Sequence, residues 1–288
     1  MQLVQGPSQH RWLSIADGSS CKVKIVAAGI KIREDIILWR MNYYFLLGGH
    51  DLEMLTIRAL LEEQRIPFSD RGLPWGASWT DYQDVIELIE QEGQLVVGVE
   101  LGGAKPSKAL LIDHHNEKAH LPSSLEQVAT LLGVPLSRYQ QLVSANDKGY
   151  IPAMRAIGAT QAEIDHIRRL DRQAQGVTEA MEEQAEADIR LVNTKNNLPI
   201  VYTNLPKFSP IVDRLQEPRL LIYNAGELTY FGEHAAELAT AFADDVAAGR
   251  AYYGGGPNGF FGIGKGHYNR KAIEQLVDRI CTYLLTRT

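Results

Sequence analysis

Cysteine is nearly absent from this chain: Cys21 and Cys281 are the only two, far apart and in no metal-ligand spacing. That excludes a disulfide framework and a zinc-thiolate site, and it fits a reducing compartment. Positive charge is not in excess either. The 29 Lys and Arg against 35 Asp and Glu leave a formal net charge of −6, whereas a protein that coats long nucleic acid needs clustered cations to displace counterions from many phosphates. No apolar run reaches the ~18 residues of a membrane span, and the opening segment lacks a charged start, an apolar core and a small-residue cleavage site. The expectation is a cytoplasmic protein. Internal repeats and low-complexity tracts are missing as well.

What is present is ordinary globular material. The 288 residues, 45% hydrophobic and 22% charged, suffice for one large domain and a smaller one, or two of middle size, each with its own core. The first 40 residues show no sustained helical or strand period and are rich in Gln, Ser and Gly. They read as a peripheral extension, with Met41 as the start of the domain, or as carrying an extra strand over 22–28; both readings stay open.

From Met41 onward, strand and helix patterns alternate. A strand over 42–47 precedes helical periods over 51–64 and 80–93, the second ending at Gly93. QLVVGVEL and KALLIDHH are continuous Val, Leu and Ile runs of the kind found in parallel strands covered on both faces. Residues 123–191 read almost wholly as helix, and the polar NTKNNLP, 193–199, reads as a linker. Beyond it LPIVYTNL, a helix from Ser209, RLLIYNA, LTYFGE and two more helices make a second α/β unit, with YYGGGPNGFFGIG between its last two helical patterns. The expected architecture is therefore α/β throughout. It comprises an extension (1–40), a parallel-sheet domain with helices on both faces (41–192), a linker (193–199) and a smaller α/β domain (200–288).

Four acidic or imidazole clusters fall at strand ends or helix starts, where open parallel sheets place ligands. In GGHDLE, two glycines allow a sharp turn, and His50, Asp51 and Glu53 follow at a helix start. Their local reading is an N-cap at Asp51 and a favourable charge on the helix dipole at Glu53; their chemical reading is a pair of carboxylates for two metal ions about 3.5–4 Å apart. Glu100 closes a buried strand before Gly102 and Gly103, so it needs either solvent or a cation. LLIDHHNE is the specific cluster: Asp113, His114 and His115 close another apolar strand, and three consecutive metal-competent side chains there are hard to explain by packing. Asp147, in SANDKG, follows a helix pattern and also fits an ordinary helix stop.

Taken together, these clusters resemble the DHH phosphoesterase superfamily, with the name-giving triplet at Asp113, His114 and His115. Asp51-Leu52-Glu53 stands for its DxD, Glu100 for its middle acid and Asp147 for its later Asp, and GGGPNGFFG resembles the Gly-rich motif of its associated C-terminal domain. The likeness spans 41–263. Glu53 and Glu100 depart from the usual aspartates, Leu47 from the histidine of pyrophosphatase-like members, and Pro257 and Asn258 from the histidine that often follows the glycines.

The resemblance implies two Mn²⁺ ions, with Mg²⁺ or Co²⁺ as substitutes. Asp51, Glu100 and His50 would hold one, and Glu53, Glu100, His114 and Asp147 the other. It implies that a metal-activated water hydrolyses a small phosphorylated substrate, such as a short or cyclic nucleotide. His115 would contact the phosphate or leaving group, and Asp113 would orient His114. Arg250, Gly254, Gly255, Gly256, Asn258, Gly259 and Lys265 would bind substrate, with Arg270 adding charge. Phe260 and Phe261 read either as base-stacking surfaces or as core residues. A phosphate-ligand binding protein without turnover and a metallohydrolase acting on another bond are the alternatives. No membrane and no long nucleic acid is expected as partner, and a homodimer is left open.

Overall fold

The computed structural model describes residues 11–14, 20–23, 42–254 and 259–286. Strands β1 (Arg11–Ser14) and β2 (Ser20–Val23) pair antiparallel, Arg11 opposite Val23. Of the strand expected over 22–28, Lys22 and Val23 end β2, and 24–28 lie outside the described residues. The chain divides into two compact units between Tyr150 and Ile151.

The first unit is a parallel sheet of β3 (Tyr43–Leu47), β4 (Phe68–Asp70), β5 (Leu95–Val99) and β6 (Leu110–Ile112), in the order β4-β3-β5-β6. Its helices are α1 (Leu52–Glu63), α2 (Gln83–Gln91), α3 (Ser124–Leu132) and α4 (Arg138–Ala156). From β3 the chain runs through α1 to β4 on one side, then through α2 to β5 on the other. Right-handed crossovers in opposite directions put the two helices on opposite faces. Leu46 and Val96 pack with Trp79, Tyr82, Ile86 and Ile89. The alternating residues Phe45, Leu47, Val97 and Val99 are buried as well, as are Ile57, Leu61, Leu125 and Val128 where α1 meets α3. Gly98 is required on the Trp79 side, because a Cβ there would lie 2.2 Å from the indole ring. Strand order reverses at the carboxyl ends of β3 and β5, the switch point where such sheets open a crevice.

The second unit begins where α4 breaks. Gly149 (φ −164°) and Tyr150 (φ 60°) are non-helical, and Pro152 stands in the first turn of the resumed helix, where no amide hydrogen is needed. Helices α5 (Gln161–Ala174) and α6 (Glu179–Ile189) follow. A mixed sheet comes next: β7 (Asn193–Lys195), β8 (Leu198–Tyr202), β9 (Leu220–Tyr223), β10 (Leu228–Phe231), β11 (Ala251–Gly254) and β12 (Phe260–Ile263), ordered β11-β12-β10-β9-β8-β7. Only β8 and β9 run parallel. On one face Val201, Leu220 and Ile222 pack with Ala185 of α6 and Ile211 of α7 (Ser209–Leu215). On the other, Leu221, Tyr230, Phe261 and Ile263 pack with Leu238 of α8 (Ala235–Ala241) and Ile273 and Ile280 of α10 (Arg270–Leu285). The short α9 (Ala243–Ala247) precedes β11.

The α/β architecture expected from the sequence, a parallel sheet with helices followed by a second unit, is the one observed. Three details differ. The segment 193–199, read as a linker, forms β7, a two-residue turn and the start of β8, with Lys195 opposite Leu198. Asn196 (φ 52°) and Asn197 (φ 59°) both take the left-handed conformation that a tight hairpin turn requires and asparagine tolerates, so a polar stretch became a turn. The helices after Tyr150 group with the second unit, although the sequence placed the boundary at 192. The Gly-rich segment is flanked by β11 and β12, which pair with each other.

Candidate metal centre

Each side chain of the site leaves a strand of the first unit at its carboxyl end or a helix beside it. After β3, Gly48 N–H donates to Val99 O at 2.9 Å, holding the ends of β3 and β5 together. A Cβ on Gly48 would meet the Val99 and Glu100 carbonyls at 2.8 Å, so only glycine lets the strand ends approach this closely. Tyr82 reinforces the junction by donating its hydroxyl to Leu47 O at 2.6 Å. Asp51 then caps α1, its Oδ1 accepting from Met54 N–H at 2.8 Å. Glu53, in the first turn, points into the protein and is 2% exposed. Glu100 follows β5 with φ 55°, an uncommon backbone for a residue with a side chain, and its N–H donates to Ile112 O. His114 follows β6, and Asp147 lies in α4, two residues before its break.

These groups converge on one imidazole nitrogen. His114 Nε2 lies 2.6 Å from Asp147 Oδ2, 3.5 Å from Glu53 Oε2 and 3.7 Å from Glu100 Oε1. Among the described residues two sets bring ligand atoms within 4.8 Å of one another: Glu53, His114 and Asp147, and Glu100, His114 and His115. Glu53 Oε2, His114 Nε2 and Asp147 Oδ2 are all buried, and apart from one another they have no hydrogen-bond partner. Buried polar atoms are rarely left so. Burial pushes the Glu53 carboxyl up to about 7, helped by the Asp147 charge and opposed by His114 and the Leu125 amide. Burial together with the Glu53 charge pushes Glu100 up to about 9; Asp51 and Asp147 add to it, and the Ser124 hydroxyl pulls the other way. Burial alone would lower His114, but Asp147 and Glu53 outweigh it and raise the imidazole to about 10. Carboxylates this crowded and this dry call for a cation, and mixed carboxylate and imidazole donors suit a divalent ion such as Mn²⁺. The residues present therefore fit a metal.

Asp113 does a different job from the one expected. Its Oδ1 accepts from the His115 N–H at 3.0 Å and lies 3.1 Å from His115 Nδ1, and its Oδ2 accepts from Lys118 at 3.0 Å. It orients His115, the next imidazole along, rather than His114. Burial would raise this carboxyl, yet the His115 and Lys118 contacts hold it below its ordinary value. The His114 and His115 rings lie 4.5 Å apart. His50 is exposed and does not join either converging set; Asp51 reaches the cluster through its charge on Glu100. Lys118 and the part that the start of α3 plays at the site escaped the sequence reading. Ser123-x-x-Glu126 is a legible capping box, and both halves form. It marks a helix start but not what that start faces, which is Glu53.

In the second unit, Arg250 donates to Asp245 at 2.7 Å and to Tyr268, Lys265 is exposed, Gly254 ends β11 and Gly259 precedes β12. Gly255, Gly256 and Asn258 lie outside the described residues. Arg270 sits over the Tyr202 ring and pairs with Glu274. Phe261 is fully buried in the core, which removes it as a stacking surface, while Phe260 is half-buried beside Tyr252. No helix of the described residues is long and apolar enough to cross a membrane.

No protein-family model matches the chain, and no curated protein matches it. Solved structures of DHH-domain proteins align over most of its length. A pGpG-specific phosphodiesterase, PggH from Vibrio cholerae, is 13% identical over 84% of this chain and 98% of its own, with a TM-score of 0.45. The DHH domain of a member of the S1p family of ribosomal proteins is 12% identical over 88% of this chain and 89% of its own, with a TM-score of 0.47.

Proposed function

We propose that this protein is a divalent-metal-dependent phosphoesterase that hydrolyses a small phosphorylated substrate, a short or cyclic nucleotide being the preferred class. The observation that carries the proposal is the convergence of Glu53, Glu100 and Asp147 on His114, buried and with three ligand atoms that have no hydrogen-bond partner outside the cluster. The Asp113-His114-His115 triplet beside it supports phosphoester chemistry through its resemblance to the DHH pattern.

Glu53, His114 and Asp147 would hold one ion, and Glu100, within reach of His114 and His115, would share in a second together with Asp51. Mn²⁺ is the preferred metal, with Mg²⁺ or Co²⁺ as substitutes. A bound divalent ion supplies Lewis-acid polarisation of a phosphoryl oxygen and acidifies water near neutral pH. His115, fixed through Nδ1 by Asp113, presents its other nitrogen to a phosphoryl or leaving-group oxygen. Lys118 keeps Asp113 anionic, and so holds that orientation.

The test is Mn²⁺-dependent hydrolysis of a panel running from bis-p-nitrophenyl phosphate to pyrophosphate, linear dinucleotides and cyclic dinucleotides. Turnover that His114→Ala and Asp113→Ala both abolish is the expected result. Two ions bound per chain without turnover on any compound would favour a binding protein or another hydrolase, and no bound ion would sink the metal centre.

A further inference from the structure

The amide hydrogens of the first turn of a helix have no partner within the helix. In α3 the Glu126 N–H is satisfied by the Ser123 hydroxyl, and the Glu126 side chain returns to the Ser123 N–H at 2.9 Å. The Leu125 N–H is satisfied from elsewhere: it donates to Glu53 Oε1 at 3.0 Å, across 72 residues of sequence, in a buried setting. The other oxygen of the same carboxylate, Oε2, is buried without a hydrogen-bond partner and lies 3.5 Å from His114 Nε2. One carboxylate thus serves two elements, a helix start through one oxygen and the converging ligand cluster through the other.

We infer that the start of α3 is a positioning element for the metal centre, and that Glu53 is built to span both, Oε1 anchored by the Leu125 amide and Oε2 presented to the ion. The inference rests on the metal-centre reading above and extends it to a residue whose backbone, not side chain, does the work. Side-chain length is its consequence. An aspartate is shorter by one methylene, about 1.5 Å, and cannot keep a 3.0 Å contact with Leu125 while leaving its second oxygen beside His114. The amide anchor also selects which oxygen is offered, and the partial positive charge of the helix start favours the anionic form of Glu53. Deleting a contact of this kind behind a ligand weakens metal affinity by about ten- to a hundredfold.

The experiment uses the full chain, metal-free and then titrated with Mn²⁺, in wild type, Glu53→Asp and Glu53→Gln. Two quantities are read: hydrogen exchange at the Leu125 amide in the metal-free protein, by NMR, and Mn²⁺ affinity by calorimetry. Glu53→Asp should expose the Leu125 amide and weaken Mn²⁺ by about ten- to a hundredfold. Glu53→Gln should keep Leu125 protected, because its amide oxygen still accepts, while losing affinity through the missing charge. Unchanged Leu125 exchange in Glu53→Asp overturns the positioning role, and so does wild-type Mn²⁺ affinity in that variant. A wild type that binds no divalent ion fails differently: it overturns the metal centre itself, whatever the exchange data say of the helix.

Discussion

Two buried clusters of charge, one in each unit, solve opposite problems. In the second unit Arg168, Arg172 and Arg214 meet Asp171, Asp213 and Glu182, three cations and three anions. Asp213 accepts from Arg168 Nε at 3.1 Å and from Arg172; Arg172 and Arg214 each reach Glu182, at 2.7 and 2.6 Å; and Arg168 pairs with Asp171 at 2.6 Å. Burial pushes the Asp213 carboxyl up to about 8, opposed by the Arg214 charge, and the Arg168 and Arg172 guanidiniums down, opposed by Asp171 and Glu182, so each buried group meets opposite charge. In the first unit Glu53, Glu100 and Asp147, with Asp51 close by, face the imidazole of His114, and Glu100 also approaches that of His115. The balanced cluster is complete as folded and ties α5, α6 and α7 together. The unbalanced one leaves carboxylates in excess, as a candidate cation site would. Burial therefore does not distinguish structure from function in this molecule; charge balance does.

The largest test of that contrast is to unbalance the balanced cluster. Arg172→Met leaves Asp213 and Glu182 short of a partner and should cost about 3–5 kcal/mol in urea unfolding. A loss below about 1 kcal/mol would mean that the network is incidental. The converse is to balance the unbalanced cluster: Mn²⁺ at a hundred times its dissociation constant should stabilise wild type by about 2.7 kcal/mol, through mass action alone. Asp147→Asn should erase this gain in a melting experiment, and a chelator should reverse it.

A third test uses pH. Glu53 and Glu100, raised from 4.5 to about 7 and about 9, and His114, raised from 6.5 to about 10, all hold their protons more tightly folded than unfolded. Their contribution is fully present below the unfolded values and is lost as pH rises through the folded ones. Metal-free stability should therefore fall between pH 5 and pH 9, by on the order of several kcal/mol. Glu100→Gln should flatten that profile, while Mn²⁺ affinity should rise over the same range because the ligands must shed protons. An unchanged slope in Glu100→Gln would place the titration elsewhere. The smallest effect sharpens the comparison from outside. Arg169 pairs with Glu179 on the same helix as Arg168 and Arg172 but in solvent, and Arg169→Gln should change stability by less than about 1 kcal/mol.

Much of the first unit was legible because its signals are local. The strand at 43–47, the helix after Asp51 and the apolar runs ending at Glu100 and Asp113 follow from period and capping alone. The three-residue β4 carries too little pattern to register, and β11 and β12 were hidden by the glycines between them. The turn at Asn196-Asn197 was legible in principle, since two consecutive asparagines tolerate the left-handed backbone of a tight hairpin, but the polar composition suggested a linker. At the site, the residue types and their strand-end positions could be read. Which carboxylate serves which imidazole could not.

By itself, then, the sequence determined the alternation of strands and helices, the helix starts at Asp51 and Ser123, and the placing of acids and imidazoles at the ends of apolar runs. All of these depend on neighbours within a few residues. Tertiary structure alone decided that Leu125 meets Glu53, that Asp113 turns to His115 and Lys118, that Asp147 comes to His114, and that Arg168 and Arg172 close on Asp213. Those pairings depend on strand order, crossover side and helix packing. Several different partners satisfy the same local pattern, and only the folded chain selects one.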